Sequence, residues 1–176
     1  MIVGYRGRRG SGKTACMVRD AYISYLNGRK IFSNIKLNFP FDPITSESIE
    51  NFKESDFKNC VLVIDEIQVL FNSRTWKNKR NMNFSIFVQQ TRKRGVDIYF
   101  TTQSLRTVDV NIRENMDIHV FPKPVIRDEV LIMFEVIYFD PYASESFYNN
   151  KSDVSIYVRA DPIFKLYNSD EIVSIK

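Results

Sequence analysis

The chain has 176 residues, 44% hydrophobic and 26% charged, with a formal net charge of +4 and a pI near 9.0. That is about one globular domain with enough apolar content to bury a core. No apolar run approaches the ~20 residues of a membrane span, and MIVGYRG lacks a signal-peptide layout, so the cytoplasm of whatever cell it works in is the expected location. Cys16 and Cys60 are far apart in apolar segments and read as reduced core thiols. His119 stands alone as a structural residue, which leaves a transition-metal site poorly supported.

In chain order, Ile2 to Tyr5 form an apolar strand that runs into GRRGSGKT. Thr14 to Leu26 follow as a helix, with Ala15, Val18, Tyr22, Tyr25 and Leu26 at helical spacing. Asn27 and Gly28 signal its end. RKIFSNI reads as a second strand, and the proline-punctuated connection after it carries a short helix around Ser46 to Lys53. VLVID is a continuous apolar run of the kind buried on both faces of a parallel sheet. A loop or short helix then runs through Arg74 to Asn81, and Phe84 to Arg94 form a helix ended by Gly95. VDIYFTTQ is another buried strand, and NIRENMDIHVF a helical turn leading into a further one. EVLIMFEVIYFD and VSIYVRA read as paired strands separated by the polar stretch Pro141 to Asp153. The alternation predicts a single α/β domain over 1–176, with a largely parallel core to residue 122 and a β-rich extension over 123–176.

Charge is unevenly placed. From Ile67 to Val96 there are Arg74, Lys77, Lys79, Arg80, Arg92, Lys93 and Arg94 and no acidic residue. Residues 1 to 40 hold one carboxylate, Asp20. Such asymmetry suits a phosphate-rich partner, with a merely solvated basic face as the alternative. Arg74, Lys77, Lys79 and Arg80 are the candidate contacts to the phosphates of such a partner.

Gly7, Gly10, Gly12, Lys13 and Thr14 satisfy G-x-x-x-x-G-K-[ST] between a strand and a helix, the context a phosphate-binding loop (Walker A) requires. Candidate ATP contacts are Gly7, Arg8, Arg9, Gly10, Ser11, Gly12, Lys13, Thr14 and Ala15. Glycines let successive N–H groups turn toward phosphates at a positive helix end. Lys13 would reach the β- and γ-phosphates, and the Thr14 hydroxyl would ligate Mg2+. Asp65 and Glu66 end the VLVID strand about fifty residues later, where open α/β sheets bind ligands. Asp65 can hold magnesium and Glu66 can deprotonate a water, as a Walker B pair would; the alternative is a solvent-facing acidic pair. Gln103, ending YFTTQ, could sense the γ-phosphate or be an ordinary polar strand terminus. Asn78, Lys79, Arg80, Asn81 lack the aspartate of a guanine-reading N-K-x-D, which argues against a GTPase. The strand-end DE pair argues against a small-molecule kinase, which must avoid activating water.

The order GxxGSGKT, GRKIFSNI, VLVIDEIQVLFNSR, TRKRGVDIYFTTQ, VDVNIRENMD, with the ending FKLYNSDE, resembles the FtsK/HerA superfamily of DNA-pumping ATPases. Within it the pattern is similar to zonula-occludens-toxin-like proteins, the assembly ATPases of filamentous phages and related viral ATPases. The resemblance implies a RecA-like core with strand order 5-1-4-3-2 and a ring, a hexamer, with ATP sites between subunits. It assigns Gln103 as sensor and matches Arg92 to an arginine that a neighbouring subunit supplies to the γ-phosphate; Arg94 and Arg113 are rivals, and binding DNA or solvent is the other reading for each. Filamentous-phage assembly ATPases carry a membrane span after this domain. Its absence here favours a soluble motor.

The expectation is therefore an ATP-hydrolysing motor of a virus or mobile element that moves DNA during virion assembly, partnered by itself, DNA and capsid or membrane assembly proteins. It would act in the host cytoplasm and transiently at an assembling virion. The alternatives are a membrane-docked assembly or export ATPase, and an ATP-gated oligomeric binding protein with little turnover.

Overall fold

In the computed structural model of the chain, residues 1–44, 57–70, 79–140 and 153–168 are described, without the side chains of Leu70, of 79–85 and of Asp153. The strands are β1 Ile2–Arg6, β2 Lys30–Ser33, β3 Asp42–Pro43, β4 Cys60–Ile64, β5 Asp97–Thr102, β6 Ile118–Arg127, β7 Val130–Phe139 and β8 Asp153–Arg159. The helices are α1 Lys13–Leu26, α2 Ile67–Leu70, α3 Lys79–Arg94, α4 Val110–Glu114 and α5 Ala160–Phe164. The short helix expected around Ser46 to Lys53 and most of the Pro141 to Asp153 connection lie outside the described residues.

The strands form one sheet in the order β3-β2-β4-β5-β1-β6-β7-β8. Pairing is parallel from β3 through β6, and antiparallel for β6 with β7 and β7 with β8. With the two-residue β3 set aside, the first five strands in chain order lie 5-1-4-3-2, the order the resemblance implies.

Strand alternation sends side chains to two cores. Val3, Tyr5, Val61, Val63, Tyr99 and Val120 face α1, which contributes Ala15, Cys16, Met17, Val18 and Ala21. Ile2, Leu62, Ile64, Ile98 and Phe100 face the other layer, where α3 supplies Phe87 and Val88, α4 supplies Ile112, and Met116 follows. Covering both faces is why β1, β4 and β5 are nearly continuously apolar. Both cysteines are free and buried, and burial pushes the thiols up, Cys16 to about 12 and Cys60 to about 11.

Three local expectations change. Leu26 closes α1 but is 63% exposed, because the buried stripe runs through Ala15 and Val18, as expected, with Cys16, Met17 and Ala21, and stops short of it. α3 begins at Lys79 rather than Phe84, so a polar first turn without an acidic residue is helical in the fold. β6 runs unbroken through Pro122 and Pro124 to Arg127, so the expected division at 122/123 falls inside a strand. Prolines fit there because β1 pairs with β6 only from Ile118 to Val120, and beyond it the β7 side alone forms a ladder. Spaced by two, both can turn their missing donors away from that ladder. Asp128 and Glu129, with φ 49 and 62, make the left-handed turn into β7.

Candidate functional site

The P-loop leaves the C-terminal end of β1, and parallel pairing brings the ends of β4 and β5 to the same edge of the sheet. Gly12 caps α1 with φ 90, and a Cβ built on it would lie 2.2 Å from Cε1 of Phe134 on β7. Lys13 is 6% exposed as a residue, and its ammonium folds back to donate to the Arg8 carbonyl at 3.1 Å. The first turn of α1 carries no acidic residue, so its N-terminal end keeps the partial positive charge that phosphates need. Ser11 Oγ is buried with no partner among the described residues. Arg8, Arg9 and Gly10 are exposed, and Ala15 is buried in the core, leaving only its main chain to reach a phosphate.

α1 is anchored from the far side by Asp20. Its Oδ2 accepts from the hydroxyls of Tyr5 at 2.7 Å and Tyr138 at 3.0 Å, and its Oδ1 from Arg19 Nη1 at 2.6 Å. Burial raises the Asp20 carboxyl, while the tyrosine and arginine contacts pull the other way. Phe134 and Tyr138 therefore tie β7 of the C-terminal hairpin to α1 and the loop before it at two points.

Asp65 lies just beyond β4, 9% exposed, and its Oδ1 accepts from Thr14 Oγ1 at 2.8 Å and Thr101 Oγ1 at 2.7 Å. Burial is the main reason its carboxyl sits above the usual range, and the two hydroxyl bonds oppose it. Stability from this group is full below the ordinary carboxylate value and is lost as pH rises through the raised one, unless a cation pairs with the ionised form. The oxygen-only donors Thr14 and Asp65 fit a hard cation such as magnesium, which keeps waters and phosphate oxygens rather than an all-protein cage. Among the described residues there is no cluster of three or more His, Cys, Asp or Glu.

Glu66 follows with φ 49, a left-handed conformation costing roughly 1–2 kcal/mol for a side-chain-bearing residue. Its N–H donates to Thr101 Oγ1 at 2.8 Å, and its Oε1 accepts from Gln103 Nε2 at 3.3 Å. The other oxygen, Oε2, accepts from Gln68 Nε2. The structure thus brings Lys13, Thr14, Asp65, Glu66 and Gln103 to one end of the sheet.

Three supporting residues lie inside the segments that carry the resemblance, but sequence reasoning assigned them no role. Asn34, one position past β2, accepts from Asp65 N at 2.7 Å and donates to the Asp65 carbonyl at 2.9 Å, so it holds the main chain of the acidic pair. Thr101 bridges both acidic residues, and Gln68 reaches Glu66. The available signal was their place within those segments: Asn34 and Thr101 at or just past strand ends, and Gln68 two residues after Glu66 in α2. Thr101→Val is isosteric but leaves the Glu66 N–H without its acceptor. It is expected to cost about 2 kcal/mol, read as a lower denaturant midpoint at unchanged slope.

The arginines lie elsewhere. Arg92, 90% exposed, sits in the last turn of α3, its Nη2 4.0 Å from Asp117 Oδ1. With Ile2, Asn115, Asp117 and Ile118 it lines a cleft of about 700 Å³ at the N-terminal ends of β1 and β6, opposite its own P-loop. Arg94 is held by Gln90 Oε1 at 2.7 Å with its guanidinium 5.6 Å from the Phe87 ring centroid. Arg113 Nη1 donates to the Leu105 carbonyl at 3.5 Å. Arg74 and Lys77 lie outside the described residues; Lys79 and Arg80 open α3. His119 Nδ1 lies 3.2 Å from Arg6 Nη1, and burial, then Arg6, lowers its pKa.

Comparison with known proteins fits this arrangement. The crystal structure of the N-terminal domain of zonular occludens toxin from Neisseria meningitidis superposes with TM-score 0.65 at 23% identity, covering 96% of this chain and 98% of that one. The genome packaging NTPase B204 from Sulfolobus turreted icosahedral virus 2, in complex with ATP-gammaS, gives TM-score 0.60 at 11% identity, covering 90% and 96%. The Gene 1 protein of Enterobacteria phage fd is 29% identical over 136 residues, 65% of this chain and 39% of the relative. The chain thus spans about two fifths of the length of the curated relatives it matches. Residues 36–171, from just after β2 through the hairpin and α5, match the zonular occludens toxin (Zot) model, and on that match the chain belongs to the Zot family.

Proposed function

We propose that the chain is an ATP-hydrolysing motor domain of a virus or mobile element, acting on DNA during virion assembly. The observation that carries this reading is the Thr14–Asp65 hydrogen bond across the strand ends, with Glu66 and Gln103 paired beside it. A phosphate-binding loop joined to a buried carboxylate next to a second, held carboxylate is what attack of water on a terminal phosphate requires. Membership of the Zot family and likeness to a genome packaging NTPase support it.

In this reading the N–H groups from Gly7 to Ala15 and the Lys13 ammonium hold the triphosphate. Thr14 and Asp65 would hold Mg2+, which supplies charge neutralisation on the phosphates. Glu66 takes the proton of a water as its oxygen bonds to the γ-phosphorus; the bond to the β–γ bridging oxygen breaks, and ADP and phosphate leave. Gln103, on the same carboxylate, orients water and base. Arg92, opposite its own P-loop, can meet a γ-phosphate only on a neighbouring subunit, so a ring, a hexamer, with shared sites accompanies this assignment. Arg74, Lys77, Lys79 and Arg80 would touch the DNA backbone without reading sequence.

Residues 1–176 act as one ATPase domain, with the β-rich extension bracing the P-loop. Among the described residues no helix is long and apolar enough to cross a membrane. A soluble motor in the host cytoplasm, visiting capsid or membrane assembly proteins, is part of the proposal. Phosphate release with and without DNA tests it. Hydrolysis is expected to rise with DNA, and the stimulation to fade as salt increases because phosphate contacts release counterions. No hydrolysis would leave an ATP-gated binding protein; hydrolysis indifferent to DNA at low salt would leave an export ATPase.

A further inference from the structure

We propose that Gln68 is a positioning residue for Glu66, holding the water-activating carboxylate in its working orientation; this rests on the reading of Glu66 as the base. On a regular helix, residues two apart do not face each other. Here the left-handed φ of Glu66 reverses the chain immediately after the strand, and Val69 N closes a tight turn on the Glu66 carbonyl at 2.8 Å. That turn starts α2 and brings the Gln68 amide back onto Glu66, two residues earlier. The unusual backbone at Glu66 thus has a local result: it creates a side-chain contact that ordinary helical geometry forbids.

The carboxylate is then held from both sides. Gln103, from the end of β5, donates to Oε1, and Gln68, from α2, donates to Oε2. A carboxylate with one such contact can still swing about its last torsion; with donors on both oxygens its plane is set. Each oxygen keeps a second lone pair, so one remains to receive the proton of a water. The amide orientation follows from the chemistry, because an ionised carboxylate only accepts and Nε2 must face it.

Gln68 makes this contact at its own expense. Its Oε1 is buried with no hydrogen-bond partner among the described residues. Half-satisfied buried amides are rare in native proteins, and each calls for a reason. Packing alone gives none, since a methionine would fill the same space with no polar atom to leave unpaired. The bond to Glu66 does.

The test is Gln68→Met and Gln68→Glu in the full chain, assayed with ATP and Mg2+ beside wild type and Glu66→Gln. Gln68→Met should lower kcat about tenfold, because a base allowed to wander loses its in-line geometry. Its KM for ATP and its affinity for a non-hydrolysable analogue should stay within about twofold, since Gln68 does not touch the P-loop. Gln68→Glu, which sets a like charge against Glu66, should lower kcat further, and Gln68→Met should keep the wild-type thermal midpoint. An unchanged kcat in Gln68→Met overturns the proposal, as does a loss shared between kcat, KM and thermal midpoint, which marks a structural role. If Glu66→Gln itself hydrolyses normally, the assignment of the base has failed instead, and the two failures are told apart within one set of assays.

Discussion

Glu66→Gln is expected to abolish phosphate release, by about a thousandfold, while leaving ATP bound. The substitution keeps the size of the side chain and removes the ability to accept a proton. Lys13, Thr14 and Asp65, which would hold the nucleotide and its cation, are untouched, and the Thr101 bond to the main chain at residue 66 does not depend on the side chain. Gln103 and Gln68 both donate to the native carboxylate, so an amide there forces one of them to turn over. That rearrangement is local and should barely move stability. Single-turnover phosphate release, alongside titration with a fluorescent ATP analogue, separates the two effects. Rapid turnover by the variant would remove Glu66 from the role of base.

Gly12→Ala is expected to destabilise the fold by about 3 kcal/mol, combining left-handed strain with overpacking, and to eliminate ATP binding. Two independent costs meet at this position. The residue has φ 90, which a side chain disfavours, and its new Cβ would lie 2.2 Å from Cε1 and 2.5 Å from Cδ1 of Phe134. Phe134 is 1% exposed and stacked edge-on against Phe164, with ring centroids 6.2 Å apart, so it has little room to retreat. The loop must move instead, and moving it turns its N–H groups away from the phosphates. Paired with Phe134→Ala, the clash term disappears but the strain remains, so the two substitutions should couple rather than add. Chemical denaturation of the set, with nucleotide titration, reads both costs. Wild-type ATP affinity in Gly12→Ala would show that this glycine is not needed for phosphate binding.

How much of this was legible in the chain varies with the range of the interactions. Lys13, Thr14, Asp65 and Glu66 announce themselves because their spacing is local: a glycine-rich turn must directly follow a strand and open a helix, and an acidic pair must end a buried strand. The core strands are legible because covering both faces leaves them continuously apolar. β6 was harder, since the expected strand ended at Phe121, whereas in the sheet it continues through Pro122 and Pro124, where one side has no ladder beyond Val120. Leu26 misled for a related reason: periodicity marks an apolar stripe, and only packing decides which part of it is covered.

A glycine-rich loop of phosphate-binding pattern and an acidic strand end in one α/β domain can be read from the chain alone, because both patterns depend on residues close together. The tertiary structure decided the rest. Strand order sets Gln103 and Thr101 beside the acidic pair, Asn34 under its main chain, and Phe134 against Gly12 across more than a hundred residues. It also sets Arg92 at the opposite end of the strands from its own phosphate loop. Those contacts join residues remote in sequence, and a threonine, an asparagine or a phenylalanine has no spacing rule to betray it. Only the burial of a shared sheet brings them together.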